Sequence, residues 1–241
     1  MPTISTNFDK SSFHPIIFLR RATALSVIGL VAGCAGQHVT ETGFLPNYGA
    51  MQHTPGHSDD LIYVAPQLAQ SRYDKVMVAP VAWRPVKGAA HLTPAQIDRM
   101  STAFRDDIVK ALSPHYTIID GSDCGDCAGV IKVAAAITDL RRSQWYYNAV
   151  PMVVGMGAAA AGGMAPPIPP PAPGGASEEL MATDARTGDV LVEVATYNNG
   201  MPWNFMGQWL PYGHAKRAFS LSSKLLATEL TKANAQVAAA N

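Results

Sequence analysis

The chain has 241 residues and carries 18 Lys and Arg against 18 Asp and Glu, so its formal net charge at pH 7 is zero. A neutral chain without a basic run lacks the electrostatic footprint of nucleic-acid binding, and we predict no nucleic-acid partner. Apolar residues make up 48% of the sequence and charged residues 15%, which is enough apolar content to bury a core. The length indicates one domain with additional segments.

The first 33 residues have the layout of an export signal. Lys10, Arg20 and Arg21 precede an uncharged run of about a dozen residues from Ala22 to Gly33. A run this short cannot span a membrane as a helix, which requires about 20 apolar residues. The run ends in Val31-Ala32-Gly33-Cys34, which resembles the signal of bacterial lipoproteins.

This resemblance implies that Cys34 becomes the first residue after cleavage and carries acyl chains such as palmitate on its sulfur and amine. Two or more chains hold a protein firmly in a membrane. The next residue is Ala35 and not aspartate, which by resemblance to enterobacterial sorting implies the outer membrane, facing the periplasm. The alternative is an ordinary cleavable signal followed by a chance cysteine.

Residues 34–74 are predicted to be a lipidated N-terminus, tether and lead-in, because Gly, Pro, Asn, His and Asp interrupt any sustained periodicity. Two short apolar pieces, Gly43-Phe44-Leu45 and Leu61-Ile62-Tyr63-Val64, are predicted to fix this segment to the domain. A single domain is predicted over residues 75–232. The Ala/Asn-rich residues 233–241 are predicted to fray.

Regular elements are predicted within this domain from periodicity and end signals. The apolar run from Lys75 to Val81 indicates a strand buried on both faces. Thr93-Pro94-Ala95-Gln96 combines an N-cap, a first-position proline and a capping box, and predicts a helix that ends near Ser113. A second amphipathic helix is predicted around residues 215–230. Further strand patterns lie at 116–120, 130–140, 177–185 and 189–197.

This element order predicts an α+β fold with two layers. We expect a mixed sheet of about four or five strands, with two helices on one face. One long insertion interrupts the pattern at residues 149–176, where Gly, Ala, Met and Pro are too dense for a single regular element.

Six aromatic residues flank this insertion or follow in a later stretch that contains Gly and Pro: Trp145, Tyr146, Tyr147, Trp203, Phe205 and Trp209. Aromatic side chains beside an uncharged segment are typical of a membrane interface. We therefore predict that they contact the membrane or a partner. The alternative is a loose or core-packed Gly/Ala loop.

Cys124 and Cys127 are the two thiols that remain after the predicted lipidation. An oxidising compartment favours a disulfide that fixes the loop ahead of a strand. A redox site is one alternative, although the carboxylates of Asp123 and Asp126 oppose the low thiol pKa it requires. A metal site is another, but it needs two further ligands, and the nearest histidine is His115.

Other chemical motifs are missing from the sequence. The seven histidines show no HExxH spacing, no serine lies in a G-x-S-x-G elbow, and no glycine-rich stretch has the frame of a phosphate loop. We therefore predict no catalytic residue, no metal ligand and no cofactor, and a protein that is not an enzyme.

Several short pieces in a fixed order carry a family resemblance. They are Gly43-Phe44-Leu45 with Tyr48, Tyr73 to Val81, Ala136 to Asp139, Gly174 to Ser177 with Glu179, and Asp184 with Thr187-Gly188 and Val190-Leu191. This order resembles the bacterial lipoprotein family catalogued as domain of unknown function 3313. The resemblance implies an exported, lipid-anchored α/β domain and gives no activity or catalytic residue to carry over.

The sequence thus predicts an outer-membrane-anchored periplasmic lipoprotein with a non-enzymatic role in envelope assembly or binding. Its expected contacts are the membrane, through the N-terminal lipid, and an envelope protein partner. The alternative is a small periplasmic thiol–disulfide or metal-handling protein that uses Cys124 and Cys127.

Overall fold

The computed structural model describes residues 39–54, 57–119, 124–143, 157, 174–199, 207 and 209–240. Within these residues the chain forms eight strands, two long α-helices and two short 3-10 helices, Tyr48–Ala50 and Pro66–Gln70. No helix in this part of the chain is both long enough and apolar enough to cross a membrane.

The strands of the described residues form one mixed sheet. They are β1 Gln52–Thr54, β2 His57–Val64, β3 Lys75–Val78, β4 Ala82–Trp83, β5 Thr117–Ile119, β6 Val130–Arg141, β7 Gly175–Asp184 and β8 Val190–Asn199. The sheet order is β1-β2-β8-β7-β6-β3-β5, and β4 also pairs with β6. Strand β3 pairs in parallel with β5 and β6, and β4 pairs in parallel with β6. Every pairing from β6 through β7, β8 and β2 to β1 is antiparallel.

Helix α1, Pro94–Leu112, begins as its sequence predicts. The Thr93 side chain accepts a hydrogen bond from the Gln96 N–H, and the Gln96 side chain accepts one from the Thr93 N–H, which completes a capping box. Along the helix, Met100, Phe104 and Ile108 recur at steps of four residues and are buried. This spacing places one apolar stripe against the sheet.

Helix α2, Gly213–Ala240, packs beside α1 and across β7 and β8. The rings of Phe104 and Phe219 stack between the two helices with their centroids 4.6 Å apart. The two helices cover one face of the sheet, and the apolar core lies between the layers. The predicted α+β class with a mixed sheet and two packed helices is confirmed.

The sheet is larger than the four or five strands that the sequence predicts, because the lead-in contributes β1 and β2 and the short strand β4 pairs with β6. The polar sequence at the start of β2 does not indicate a strand. The backbone of β2 nevertheless pairs with β8, from Asp60 opposite Thr196 to Val64 opposite Val192. Pairing with a preformed strand overrides weak local propensity. The sheet therefore begins before the predicted boundary at Lys75, and Leu61–Val64 does attach the lead-in to the domain.

The prediction that residues 233–241 fray is wrong for the described part of this segment. Helix α2 continues to Ala240, with Ala233 and Val237 buried. The Asn234 side chain also donates hydrogen bonds to the Tyr73 carbonyl oxygen at 2.8 Å and the Tyr116 hydroxyl at 3.1 Å. Alanine is only weakly apolar and asparagine is polar, so the sequence shows no strong apolar stripe here, but Ala233 is buried and Asn234 bonds to neighbouring elements.

The β7–β8 hairpin begins slightly earlier than predicted, since Gly175 and Ala176 of the predicted insertion already belong to β7. Its turn is closed by Asp184, whose side chain accepts hydrogen bonds from the N–H groups of Arg186 and Thr187. Gly188 adopts a positive φ of 81°, which glycine tolerates without strain. The predicted hairpin is therefore confirmed.

Candidate functional site

Cys124 and Cys127 form a disulfide, with their Cα atoms 4.9 Å apart. The bridge closes a turn in which Gly125 and Cys127 both have positive φ, and the Val130 N–H at the start of β6 donates to the Cys127 carbonyl oxygen. Both half-cystines are partly buried. The disulfide closes a loop directly ahead of a strand, and not the first turn of a helix that favours a reactive thiolate.

The predicted lipidation site and most of the predicted contact aromatics lie outside the described residues. These are Cys34, Trp145, Tyr146, Tyr147, Trp203 and Phe205, together with residues 149–156 and 158–173 of the insertion. Trp209 is described, and it is 59% exposed, as is its neighbour Leu210. In the described part of the chain, no group of three His, Cys, Asp or Glu side chains could hold a metal ion.

Three glutamates lie buried in the middle of the sheet, and sequence reasoning did not select any of them as buried sites. Glu178 and Glu179 are consecutive in β7, and Glu193 lies in β8; each is at most 1% exposed. Consecutive strand residues point to opposite faces. Glu178 therefore lies on the face that the helices cover, and Glu179 on the opposite face, which we call the outer face.

Glu178 lies in the layer between helix and sheet, where its neighbours along β7, Ala176 and Leu180, belong to the apolar core. The Thr196 hydroxyl donates a hydrogen bond to one carboxyl oxygen. The other oxygen has no hydrogen-bond partner among the described residues. Burial raises the pKa of Glu178 to about 8, although the Thr196 hydrogen bond and the charge of Arg141 oppose this shift.

Glu179 is covered by a segment from the lead-in, residues 42–48, which we call the clasp. The hydroxyl groups of Thr42 and Tyr48 both donate to the Glu179 carboxylate, the latter at 2.5 Å. A hydrogen bond within the clasp joins its two ends, since the Thr42 N–H donates to the Tyr48 hydroxyl at 3.1 Å. Burial, followed by the hydrogen bond to Glu179, raises the pKa of the Tyr48 hydroxyl.

The clasp also makes apolar and cationic contacts with the domain. Leu45 is 3% exposed, so the predicted attachment through Gly43-Phe44-Leu45 is confirmed. The Arg84 guanidinium carbon lies 5.3 Å from the centroid of the Phe44 ring, within the range of a cation–π contact. These contacts fix a short irregular segment on the outer face without any strand pairing.

Glu193 shares the outer face with Glu179, because β7 and β8 pair with Glu179 opposite Ala195 and Met181 opposite Glu193. Burial raises the pKa of the Glu193 carboxyl, and Asn47 of the clasp lies close enough to oppose that shift. One short segment thus approaches two buried carboxyl groups on neighbouring strands.

Arg141 connects β6, β7 and β8 at the end of the sheet where β7 begins. Its guanidinium donates to the Asp139 carboxylate at 2.5 Å and to the carbonyl oxygens of Ala176 and Asn198 at 3.0 and 2.9 Å. It also lies over the Tyr197 ring, 4.1 Å from the centroid. Contacts to three adjacent strands make Arg141 a cross-strand brace.

The sequence contains a signal for the buried acids. Glutamate is rarely buried without a partner, yet Glu178 and Glu179 interrupt an apolar strand pattern and Glu193 lies within Val190-Leu191-Val192-Glu193-Val194. Two consecutive acids in a strand that is covered on both faces must each point into a buried layer. The sequence does not show that the clasp covers the outer face, and without this contact Glu179 is not recognised as buried.

The fold and these sites define a class of protein: an α+β domain whose sheet buries carboxyl groups on both faces and whose N-terminal segment is held on the outer face. The chain belongs to the family described as "Protein of unknown function (DUF3313)", which matches residues 40–226. The match begins two residues ahead of the clasp and ends within α2. A comparison with curated proteins found no match.

Two dodecamers of PelC are among the solved structures that resemble this chain. The dodecamer of PelC from Paraburkholderia phytofirmans has a TM-score of 0.41 and 12% sequence identity, covering 71% of this chain and 95% of that chain. A point-variant dodecamer of the same protein gives a TM-score of 0.40 and 10% identity, with the same coverage. Likeness at this level carries no conclusion about function.

Proposed function

We propose that this chain is a periplasmic lipoprotein, anchored in the outer membrane through Cys34, with a non-enzymatic role in envelope assembly or binding. The observation that carries the proposal is the clasp. The chain segment that follows the lipoprotein-like cysteine is docked on the domain by buried hydrogen bonds to Glu179. An anchor at Cys34 would therefore act on the folded domain through a short connection.

The length of that connection sets how far the domain can stand from the membrane. Eight residue steps separate Cys34 from Thr42, the first clasp residue that bonds Glu179. At about 3.3–3.6 Å per residue, a fully extended chain spans about 26–29 Å. A lipid on Cys34 would therefore hold the clasp within about 26–29 Å of the bilayer surface, which suits a protein that works on membrane-associated partners.

The placement of the acidic groups supports a non-enzymatic role. Glu178 is covered by helices, and Glu179 and Glu193 lie beneath the clasp, so none of the three presents a carboxyl group to solvent. General acid–base catalysis requires the group to come within hydrogen-bond reach of a substrate. We infer that these acids organise the domain and have no part in catalysis. Binding of an envelope protein partner would then use the surface of the domain, including the aromatic residues at 145–147 and 203–209.

The anchor is tested by fractionating cells that express Cys34→Ala. We expect the variant to leave the membrane fraction, because the thiol that carries the acyl chains is gone. The matched control is the double variant Cys124→Ser/Cys127→Ser, which removes the other cysteines and should stay membrane-bound. Retention of the Cys34→Ala protein in the membrane fraction would contradict the lipid assignment.

The second candidate function is thiol–disulfide exchange at Cys124 and Cys127, and the observation that favours it is the disulfide in a turn with positive φ at Cys127. An insulin-reduction assay separates the two candidates. A structural bridge predicts no activity in the wild-type protein and only a stability change in Cys124→Ser/Cys127→Ser. Activity that disappears in the double variant would favour the exchange function over the non-enzymatic one.

A further inference from the structure

A cleft opens where both long helices begin. The Gln96 side-chain amide of α1 donates to the Tyr212 hydroxyl at 3.3 Å, just ahead of α2. The Ser143 N–H, after β6, donates to the Pro211 carbonyl oxygen at 2.9 Å. These bonds fix the start of α1, the end of β6 and the start of α2 around a cavity of about 360 Å³. The cleft is therefore built from three elements of the folded domain.

Three cations line this cleft, one from each of those elements. They are Arg99 of α1, Arg142 after β6 and Lys216 of α2. Among the described residues that line the cleft none is acidic, and none of the three cations forms an ion pair within the described part of the chain. Convergent cations without a carboxylate among them form a site for an anion.

The backbone adds to this positive potential. The N-terminal ends of α1 and α2 both lie at the cleft, and a helix N-terminus carries roughly half a positive charge. The capping box already satisfies the first turn of α1, so the side chains, and not the backbone N–H groups of that helix, are the expected direct donors. Arginine, with its planar fork of N–H groups, matches phosphate oxygens in particular.

Part of the cleft lining is apolar. It is formed by Met100, Leu210 and Pro211, and Leu210 is 59% exposed. Trp209, next to Leu210, is equally exposed. A free inorganic ion gains no binding energy from these apolar residues, because it has no apolar surface to bury. The apolar substituent of a phosphate ester can bury surface against them.

We propose that this cleft is a binding site for a phosphate ester, with the phosphate held by Arg99, Arg142 and Lys216 and its apolar substituent against Leu210 and Pro211. Two sources share this chemistry: a phospholipid headgroup and a water-soluble organic phosphate. The site goes beyond the proposed function and does not depend on the lipid anchor, so either can fail while the other stands.

The test titrates the full chain, purified in a nonionic detergent, with hexyl phosphate and glycerol 1-phosphate by isothermal titration calorimetry. Hexanol is the uncharged ligand control. The cleft variant is Arg99→Ala/Lys216→Ala. Its matched control is Lys110→Ala/Arg217→Ala, which removes the same charge from the same two helices at exposed positions outside the cleft.

We expect hexyl phosphate to bind the wild-type chain, and its Kd to rise at least about tenfold in the cleft variant, because two charge-assisted contacts are lost. The control pair should change the Kd by less than about twofold. Tighter binding of hexyl phosphate than of glycerol 1-phosphate points to a lipid headgroup, and equal binding to a soluble phosphate. Both results support the phosphate site, but equal binding overturns the proposed apolar contact with Leu210 and Pro211. Equal weakening in the two double variants, equal binding of hexanol, or no phosphate binding overturns the proposal.

Discussion

The two faces of the sheet bury carboxyl groups in different ways. On one face, Glu178 lies under two long helices, within a continuous apolar layer. On the outer face, Glu179 is covered by a clasp of seven residues, held through hydroxyl groups and one buried leucine. The helix face is closed mainly by apolar burial, which resists local opening, whereas the clasp depends on a few directional bonds.

The largest effect is expected on the helix face, from Phe219→Ala. Phe219 is fully buried and stacks on Phe104, so truncation leaves a cavity between the two helices and costs about 3–5 kcal/mol of unfolding free energy. Urea denaturation measures the loss. The control is Leu221→Ala on the same helix, which is 42% exposed and should change stability by less than about 1 kcal/mol. Similar losses in both variants would mean that α2 does not close this face by core packing.

The next effect is a pH dependence that arises from Glu178. The folded-state pKa, about 8, lies above the ordinary value of 4.5, so the folded protein holds a proton that the unfolded chain releases. The contribution of protonated Glu178 to the free energy of unfolding is fully present below pH 4.5 and is lost as the pH rises to about 8. One pKa unit corresponds to about 1.4 kcal/mol, so the fall is on the order of a few kcal/mol.

The check is Glu178→Gln, which keeps a neutral side chain of the same shape and an oxygen that can accept from Thr196. We expect the variant to match the wild-type protein in stability at pH 4.5 and to exceed it at pH 9, as measured by thermal unfolding. A smaller decline should remain in the variant, because burial also raises the pKa of Glu193. Parallel pH profiles for the two proteins would contradict the assignment to Glu178.

The smallest effect is expected on the outer face, from Tyr48→Phe. Removal of this hydroxyl takes one donor from Glu179 and the acceptor of the Thr42 N–H, at a cost of about 1–3 kcal/mol. We expect the clasp to open locally, so hydrogen exchange at residues 42–48 should accelerate more than exchange in β7. Tyr63→Phe is the control, because the Tyr63 hydroxyl makes no hydrogen bond within the described residues. Uniform acceleration over both segments would show that the clasp does not open independently.

Local signals made the helix face predictable from sequence. The capping box at Thr93 and Gln96 and the four-residue spacing of Met100, Phe104 and Ile108 are encoded within one element. The predicted strands from Lys75 and Val130 follow equally local apolar patterns. These elements needed no knowledge of their partners.

The outer face could not be predicted in the same way, because its structure comes from contacts between distant residues. Strand β2 begins with polar residues and acquires its conformation by pairing with β8. Glu179 is buried only because Thr42 and Tyr48 return to cover it across more than a hundred residues. The same holds for one residue of the helix layer, Asn234 of α2, whose role depends on the distant residues Tyr73 and Tyr116.

The clasp also imposes an order on how the chain matures. Its partner, Glu179, lies 131 residues after Tyr48, in the central part of the sheet, so the clasp is synthesised long before the surface that receives it exists. Long-range contacts of this kind form late in folding. The clasp can therefore dock only after β7 has been synthesised. Docking of the clasp marks the completed fold.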